Sequence, residues 1–277
     1  MMEDFILAFQ SSAQKIQNLL KVSHTDYLST TNSSGDNQLG IDVKADKIIE
    51  EELLSLNSVR GLCSEEKNEV IYKDYGSYFI AYDPLDGSSI ISSNLSVGSI
   101  FGIYKEGFES KNIIAAAYVV YGPRLELVFA NDVLSYFIYD GKSWKKQPPL
   151  KLNESGKINA PGGTQKNWSS KHKTLIDSFF QKGYRLRYSG GMVPDLHQIL
   201  IKKGGLFSYP ATSDAPNGKL RKLFEVFPFA FIYEKAGGGA IDGKNRLLEL
   251  PINGIHDTSP CFFGSIEEIN EVRRIYE

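Results

Sequence analysis

Charge of one sign, long apolar runs and cysteine are all scarce in this sequence. Lysine and arginine number 31 against 33 for aspartate and glutamate, a net charge of −2, so the chain has no basic surplus to recruit nucleic acid or an anionic membrane. The longest strongly apolar run, residues 113–121, is far too short to span a bilayer. The N-terminal MMEDFILAFQ has acids where a secretory signal needs bases. We therefore predict a cytoplasmic protein that binds neither nucleic acid nor membrane.

The two cysteines, Cys63 and Cys261, could form at most one bridge. Buried reduced thiols are the expected state of both, because nothing in the sequence indicates export to an oxidising compartment. No redox role is predicted.

The apolar residues predict an α/β fold. They make up 42% of the 277 residues, enough for a substantial core. Steps of three and four residues predict amphipathic helices near the N-terminus and over 41–56. The apolar face expected of the second helix consists of Val43, Ile48, Ile49, Leu53 and Leu54. Strand-like runs separated by glycine turns then predict one largely antiparallel sheet, and the remaining chain alternates helix and strand.

Residues 145–157 concentrate proline, lysine, serine and glycine, a composition typical of a boundary. We predict two subdomains that meet there. The N-terminal one covers residues 1–150 and the C-terminal one covers residues 151–277.

The sequence AYDPLDGSSI, residues 81–90, places two carboxylates three positions apart at the end of an apolar strand. Burial and mutual repulsion would raise the pKa of both Asp83 and Asp86 unless a cation lies between them. Carboxylates without a histidine or cysteine cluster favour magnesium or manganese over zinc or copper. The Gly-Ser-Ser that follows offers amides and hydroxyls to a phosphate. Together these groups indicate metal-assisted hydrolysis of a phosphate ester by in-line displacement.

Other acids lie in more ordinary surroundings. Asp36 and Asp42 stand in a polar loop and at a helix start, where aspartate is a common cap. Glu65 and Glu66 are typical of a solvated turn. Glu225 differs, because it interrupts the apolar run LFEVF, where an unpaired carboxylate is costly.

A group of basic and tyrosine residues lies in the C-terminal half. Arg187 and Tyr188, and later Tyr209 and Lys219, are separated by glycine- and proline-rich turns that suit the rim of a pocket. Such residues are more often surface charge, but they also suit a second phosphate, distal to the one that is cleaved.

Taken together, these motifs resemble a known family. The segments GDNQLGID, SEE, DPLDGSS, VGSIFGIY, YGPR, RYSGGMVPDLHQ, PNGKLR and EKAGG follow one another over nearly the whole chain. In this order they are similar to the class I fructose-1,6-bisphosphatases and to their relatives, the sedoheptulose-1,7-bisphosphatases. DPLDGSS alone marks only the wider superfamily of metal-dependent sugar and inositol phosphatases.

The resemblance implies a role for each matching residue. The implied magnesium ligands are Glu65, Glu66, Asp83, Asp86, Glu225 and the carbonyl of Leu85. The acids implied to orient and deprotonate the attacking water are Asp36, Asp42 and Glu66. The implied contacts to the leaving phosphate are Gly87, Ser88 and Ser89. The implied contacts to the distal phosphate and the sugar are Asn159, Arg187, Tyr188, Met192, Asp195, Tyr209, Lys219 and Arg221, with Arg187 reaching the phosphate of a neighbouring subunit.

The resemblance also implies the architecture and the reaction. The fold would be layered α/β in two subdomains with the site between them, and the assembly a homotetramer. Each subunit would bind two or three Mg²⁺ ions, with Mn²⁺ as a substitute. The reaction would be hydrolysis of fructose 1,6-bisphosphate to fructose 6-phosphate and phosphate, a step of gluconeogenesis.

Three alternatives stay open on the sequence. DGSSI, YGPR and GGMVPD are similar to the sedoheptulose branch, whereas Tyr209 and PNGKLRK are similar to the fructose branch. We favour the fructose substrate, because six- and seven-carbon bisphosphates differ chiefly at the distal phosphate. An inositol monophosphatase would share the acid pairs but has no need for the distal basic group. A catalytically inactive binding protein is disfavoured, because every expected acid is present.

Overall fold

Two helices and a short strand pair open the chain. The computed structural model describes the backbone of residues 2–22, 27–31 and 37–277, and the side chains of residues 2–22 and 40–277. The first elements are α1 (Met2–Val22), β1 (Tyr27–Thr31), β2 (Asn37–Leu39) and α2 (Gly40–Leu54), with β1 and β2 antiparallel. Asp36, one of the predicted water-activating acids, lies outside the described residues.

The buried face of α2 differs from the prediction. Ile49 and Leu53 are buried as expected, but Val43 is 42% exposed. The face that packs on the sheet instead includes two acids, Asp42 and Asp46. The hydrophobic pattern was misleading here because the helix places carboxylates against the interior.

The following segment forms an eight-stranded sheet with the order β10-β9-β8-β7-β6-β5-β3-β4. Its strands are β3 (Val59–Ser64), β4 (Ile71–Tyr72), β5 (Tyr78–Asp86), β6 (Val97–Lys105), β7 (Ile113–Tyr121), β8 (Leu125–Ala130), β9 (Leu134–Tyr139) and β10 (Trp144–Gln147). Every neighbouring pair is antiparallel except β3 and β5, which are parallel. The predicted antiparallel character of the sheet is confirmed.

A second, mixed sheet of five strands has the order β12-β11-β13-β17-β15. The strands after the first sheet are β11 (Ile158–Pro161), β12 (Arg185–Leu186), β13 (Leu206–Tyr209), β14 (Leu220–Arg221), β15 (Gly239–Ile241), β16 (Thr258–Ser259) and β17 (Cys261–Gly264), with β14 and β16 forming a separate pair. The helices of this half are α3 (Ser170–Gln181), α4 (Met192–Ile201), α5 (Phe227–Lys235) and α6 (Ile266–Tyr276).

The elements stack in layers. Helices α1 and α2 cover one face of the eight-stranded sheet, and α4 and α5 lie between its other face and the second sheet. Helices α3 and α6 cover the far side of the second sheet. The fold is therefore the layered α/β class that the sequence predicts. The boundary proposed at residue 150 lies between the two sheets, but one core continues across it, and the division into subdomains stays a prediction.

One helix prediction needs correction. The pattern of apolar residues over 219–238 predicts one helix, yet Leu220–Arg221 is a strand and Lys222–Val226 is a π-helical turn before α5. Pro228 in the first turn of α5 has no N–H to donate, so a regular α-helical ladder cannot run through it. This irregular turn positions a buried glutamate, described below.

Two other expectations concern the thiols and the membrane. Cys63 and Cys261 are both buried and free, so the reduced state is confirmed. Among the described residues, none of the helices combines the length and apolar character needed to cross a bilayer.

Candidate active site

The segment Asp83–Asp86 forms an irregularity at the end of β5. Pairing of β5 with β6 shifts register between these two acids. Pro84 has no N–H for the ladder, and its carbonyl accepts a hydrogen bond of 2.7 Å from Ser99 Oγ. The Asp83 carboxylate turns back to accept the Leu85 N–H at 2.8 Å. Asp83 is thus held by the backbone at the end of β5.

Asp86 joins the strand to the helix layer. Its carboxylate accepts the N–H groups of Met192 at 3.0 Å and Val193 at 2.6 Å, in the first turn of α4. These amides are free to bond a side chain because they have no partner within the helix. One carboxylate therefore connects the end of β5 to helix α4.

Glu225 approaches from the π-helical turn. Its side chain is 6% exposed, and one oxygen accepts the N–H of Arg221 at 2.6 Å. One carboxylate oxygen from each of Asp83, Asp86 and Glu225 lies within 4.8 Å of the other two. Glu225, which the sequence marks as a costly acid in an apolar run, therefore faces the two aspartates.

Electrostatics in this trio favour an added cation. Burial raises the pKa of Asp83 well above its usual range, and the neighbouring carboxylates add to the rise. Burial likewise raises the pKa of Glu225, and it raises that of Asp86 to about 6 despite the two amides from α4. Three buried oxygen ligands at this spacing fit a hard divalent ion such as Mg²⁺ or Mn²⁺. Three predicted metal ligands from two separate segments, β5 and the π-helical turn, thus converge.

Glu65 and Glu66 follow β3 beside this trio. Glu65 is bonded through its N–H to the Tyr82 carbonyl at 3.0 Å, and Arg221 Nε lies 3.5 Å from its carboxylate. Burial raises the pKa of Glu65 to about 7, Arg221 opposes the rise, and Glu66 and Asp86 reinforce it. Arg221 was predicted to contact substrate, and the structure places it against the acid cluster.

Asp42 lies in the first turn of α2 and is 5% exposed. One turn later on the same face, Asp46 accepts hydrogen bonds from Ser64 Oγ at 2.5 Å and Tyr82 Oη at 2.7 Å. Lys67 Nζ lies 2.7 Å from the same carboxylate. Asp46 thus anchors α2 to the segment that carries Glu65 and Glu66. Sequence reasoning missed it, although an acid four residues after Asp42 could have signalled it.

The Gly-Ser-Ser motif begins a 3₁₀ helix, Ser88–Ser93. Gly87 has φ of 81°, a conformation that glycine adopts readily, and a Cβ there would lie 3.2 Å from Gly191 Cα. Ser88 is half-buried and Ser89 is exposed. The turn therefore presents the start of a 3₁₀ helix next to Asp86. Binding of a phosphate by this turn stays a prediction.

A cavity of about 110 Å³ adjoins the cluster. Its lining consists of Asp86, Tyr188, Gly190, Gly191, Met192, Phe207, Tyr209, Lys219 and Leu220. Five of these are predicted ligands of metal, sugar or distal phosphate. Sequence reasoning did not single out Gly190, Gly191, Phe207 and Leu220, which supply backbone and apolar wall.

Besides Arg221, three residues predicted to contact the distal phosphate or the sugar lie outside this lining. Asp195 is buried and accepts the Ser189 N–H at 2.9 and 3.0 Å, so it shapes the loop before α4. Burial raises its pKa to about 7. Arg187 is exposed, and its Nη1 donates to the Leu186 carbonyl at 2.8 Å. A contact between Arg187 and a neighbouring subunit stays a prediction.

Asn159 is the third. Its neighbour Ala160 pairs with the cavity residue Phe207, whereas Asn159 pairs with Leu206. Because successive side chains in a strand point to opposite faces, Asn159 faces α3 and not the cavity. It is 0% exposed, and neither amide atom has a hydrogen-bond partner among the described residues. The local sequence could not reveal this orientation.

Comparison with known proteins defines the class. The description "Fructose-1-6-bisphosphatase, N-terminal domain" matches residues 2–145, and "Fructose-1-6-bisphosphatase, C-terminal domain" matches residues 152–277. Chains named fructose-1,6-bisphosphatase class 1 are 59% identical in Helicobacter hepaticus, over 100% of both chains, and 53% identical in Campylobacter hominis, over 99% of this chain and 100% of that one.

A solved structure shows the same architecture. The Leishmania major fructose-1,6-bisphosphatase in holo form superposes with a TM-score of 0.93 at 31% identity, covering 98% of this chain and 94% of that one. The chain belongs to the class 1 fructose-1,6-bisphosphatase family.

Proposed function

We propose that this protein hydrolyses fructose 1,6-bisphosphate to fructose 6-phosphate and phosphate in gluconeogenesis, and that it needs Mg²⁺ to do so. The convergence of Asp83, Asp86 and Glu225 within 4.8 Å carries the proposal. Such a cluster has little use in a protein that only binds sugar, since it leaves buried negative charge unneutralised. Family membership supports the sugar bisphosphate as substrate.

The metal would be held by Asp83, Asp86, Glu225, Glu65, Glu66 and the Leu85 carbonyl. When bound, Mg²⁺ neutralises the developing charge on the phosphate and lowers the pKa of water. The number of ions per subunit, two or three, is part of this proposal, as is replacement by Mn²⁺.

The chain's own groups divide the remaining work. Gly87, Ser88 and Ser89 hold the phosphate to be released, through backbone N–H groups and hydroxyls. Glu66 and Asp42, with Asp36, accept the proton of the attacking water. Because α4 binds Asp86 through its first amides and also supplies Met192 to the cavity, one helix sets the distance between acids and sugar.

Tyr188, Tyr209 and Lys219 hold the distal phosphate, the feature that separates a bisphosphatase from an inositol monophosphatase. We expect Lys219→Ala to raise KM for fructose 1,6-bisphosphate by about tenfold, with a smaller change in kcat, because this contact is made in both ground and transition states. An unchanged KM would favour a monophosphatase.

The decisive measurement is kcat/KM on fructose 1,6-bisphosphate and sedoheptulose 1,7-bisphosphate at saturating Mg²⁺. We expect the six-carbon substrate to be preferred, with some turnover of the seven-carbon one. A tenfold preference for the seven-carbon compound would reverse the choice of substrate and leave the metal site intact. Assembly as a homotetramer is a further part of the proposal, testable by sedimentation.

A further inference from the structure

The turn after β11 lies directly behind the two cavity tyrosines. Gly162 donates its N–H to the Ser208 carbonyl at 2.7 Å, and its own carbonyl accepts Trp168 Nε1 at 3.0 Å. The peptide of Gly162 is therefore fixed from both sides, by the neighbouring strand and by a buried indole. Such a turn cannot shift freely to relieve crowding.

A side chain at residue 162 has no room. A Cβ would lie 2.5 Å from Tyr209 Cδ2, 2.8 Å from Tyr209 Cε2 and 3.1 Å from Tyr188 Cε2. Carbon atoms in proteins pack at about 3.5–4.0 Å, so the Tyr209 ring would have to move. Its backbone is held in β13, where it pairs with Cys261. The displacement must therefore be taken up by the ring, which forms part of the cavity wall.

The next residue adjoins the second tyrosine. Gly163 has φ of 79°, a conformation that favours glycine, and its backbone N–H limits the rise in the pKa of Tyr188 that burial causes. Both rings therefore depend on residue 162, because a Cβ there would crowd Tyr209 and Tyr188. The cavity of about 110 Å³ is small, so a ring shift of an ångström changes what it admits.

We propose that Gly162 is a specificity-determining residue, which sets the position of Tyr209 and Tyr188 and thereby selects sugar substrates carrying a second, distal phosphate. The inference rests on the proposed function, because it takes the cavity to be the site of that phosphate. Gly162 is thereby added to the residues that determine specificity, although it has no side chain and makes no contact of its own with the substrate. Gly162 is thus a positioning residue that acts through Tyr209.

The test is Gly162→Ala, assayed on two substrates. We expect kcat/KM for fructose 1,6-bisphosphate to fall by about tenfold or more, in keeping with the cost of overpacking. For fructose 1-phosphate, which lacks the distal phosphate, the change should stay within about twofold, since the acid cluster is untouched. Binding of fructose 6-phosphate, measured by calorimetry, should weaken in parallel with the bisphosphate effect. A general structural defect would instead lower both activities together.

Gly254→Ala is the matched control. A Cβ there meets only Asp257 Oδ1, at 3.5 Å, so the ratio of the two kcat/KM values should match wild type. Trp168→Phe provides a second route, because it removes the N–H that fixes the Gly162 carbonyl and keeps an aromatic ring. It should lower the same ratio by about two- to fivefold.

A Gly162→Ala protein that keeps the wild-type ratio and binds fructose 6-phosphate normally overturns the inference. If that variant does not fold, an unchanged ratio in Trp168→Phe overturns it instead. Failure of the proposed function looks different, since the wild-type protein would then not hydrolyse fructose 1,6-bisphosphate at all.

Discussion

Two groups of buried carboxylates in this protein are equally hidden from solvent and behave in opposite ways. Glu126 on β8 is 4% exposed, while Asp83, Asp86 and Glu225 are 6%, 7% and 6% exposed. Burial alone would raise the pKa of all four. Yet the pKa of Glu126 is lowered to about 2, whereas that of each acid in the trio is raised.

The difference lies in the partners. Glu126 accepts a hydrogen bond from the Tyr136 hydroxyl and one of 2.7 Å from Arg124 Nε, and His197 Nε2 lies 3.0 Å away. These donors outweigh burial. In the trio each acid faces other acids, and the backbone amides only limit the rise in pKa. The protein completes the Glu126 site with its own groups, and the trio is completed only by an added cation.

The largest effect should come from Asp83→Asn. The amide oxygen can still accept the Leu85 N–H, so local structure is kept, but a negative charge is lost from the proposed metal ligands. We expect kcat to fall by about 100-fold or more. The melting temperature of the metal-free protein should not fall, because the remaining acids repel each other less. Wild-type turnover at ordinary Mg²⁺ concentrations would remove Asp83 from the site.

Glu126→Ala should have the opposite profile. Its removal leaves His197 and Tyr136 without their carboxylate in a buried setting, so we expect a loss of about 2–4 kcal/mol in the free energy of unfolding. Glu126 does not line the cavity, and kcat should change less than a few-fold. Thermal unfolding and steady-state kinetics on the same preparation separate the two outcomes. A variant as stable as wild type, or one that is stable but inactive, would contradict the view that Glu126 serves stability and the trio serves catalysis.

Sequence patterns revealed one of these sites and not the other, for a physical reason. Asp83 and Asp86 stand together in the chain beside a proline, and Glu225 interrupts an apolar run. The free-energy cost of burying these carboxylates can therefore be recognised from their neighbours in the sequence. Glu126 also lies in an apolar run, LELVFA, but it has no second acid beside it in the chain, and the run does not show which groups complete its site. Its partner His197 is 71 positions away, and no local signal joins them.

The elements of the fold also divide into those that the sequence could predict and those that it could not. Helices with a regular apolar period, such as α1, α3 and α4, were predictable from spacing, as was the antiparallel sheet. The π-helical turn at Lys222–Val226 and the face of Asn159 were not, because tertiary pairing decides both. The candidate site was therefore predictable in its acids and less so in the geometry of its cavity.

Titration of the metal-free protein should sharpen the contrast. The pKa of Asp86 is raised from 3.8 to about 6, and that of Glu65 from 4.5 to about 7. Groups with raised pKa contribute stability that is fully present below their unfolded values and is lost as the pH rises through the folded ones. The metal-free melting temperature should thus decline between about pH 4 and pH 7 on account of these acids.

Adding Mg²⁺ should reverse that decline. Ligands must be deprotonated to bind, so the gain in melting temperature should be larger at pH 8 than at pH 5. At 100 times the dissociation constant the stabilisation is about 2.7 kcal/mol. Asp83→Asn serves as the control, in which the gain should shrink sharply. An equal gain at both pH values would mean that the trio is not the binding site.

The smallest effects come from removing the donors to Glu126 one at a time. Tyr136 is buried, so Tyr136→Phe should cost about 1–2 kcal/mol. The Arg124 side chain is 65% exposed, so Arg124→Gln should cost only about 0.5 kcal/mol because water screens the pair. Glu126 contributes stability above its unfolded pKa that is lost as the pH falls toward 2. Each substitution raises the folded pKa, and the acid limb of the unfolding curve should move to higher pH, further for Tyr136→Phe. If the exposed arginine proved the more costly to lose, the pKa of Glu126 would be set by net charge and not by buried hydrogen bonds.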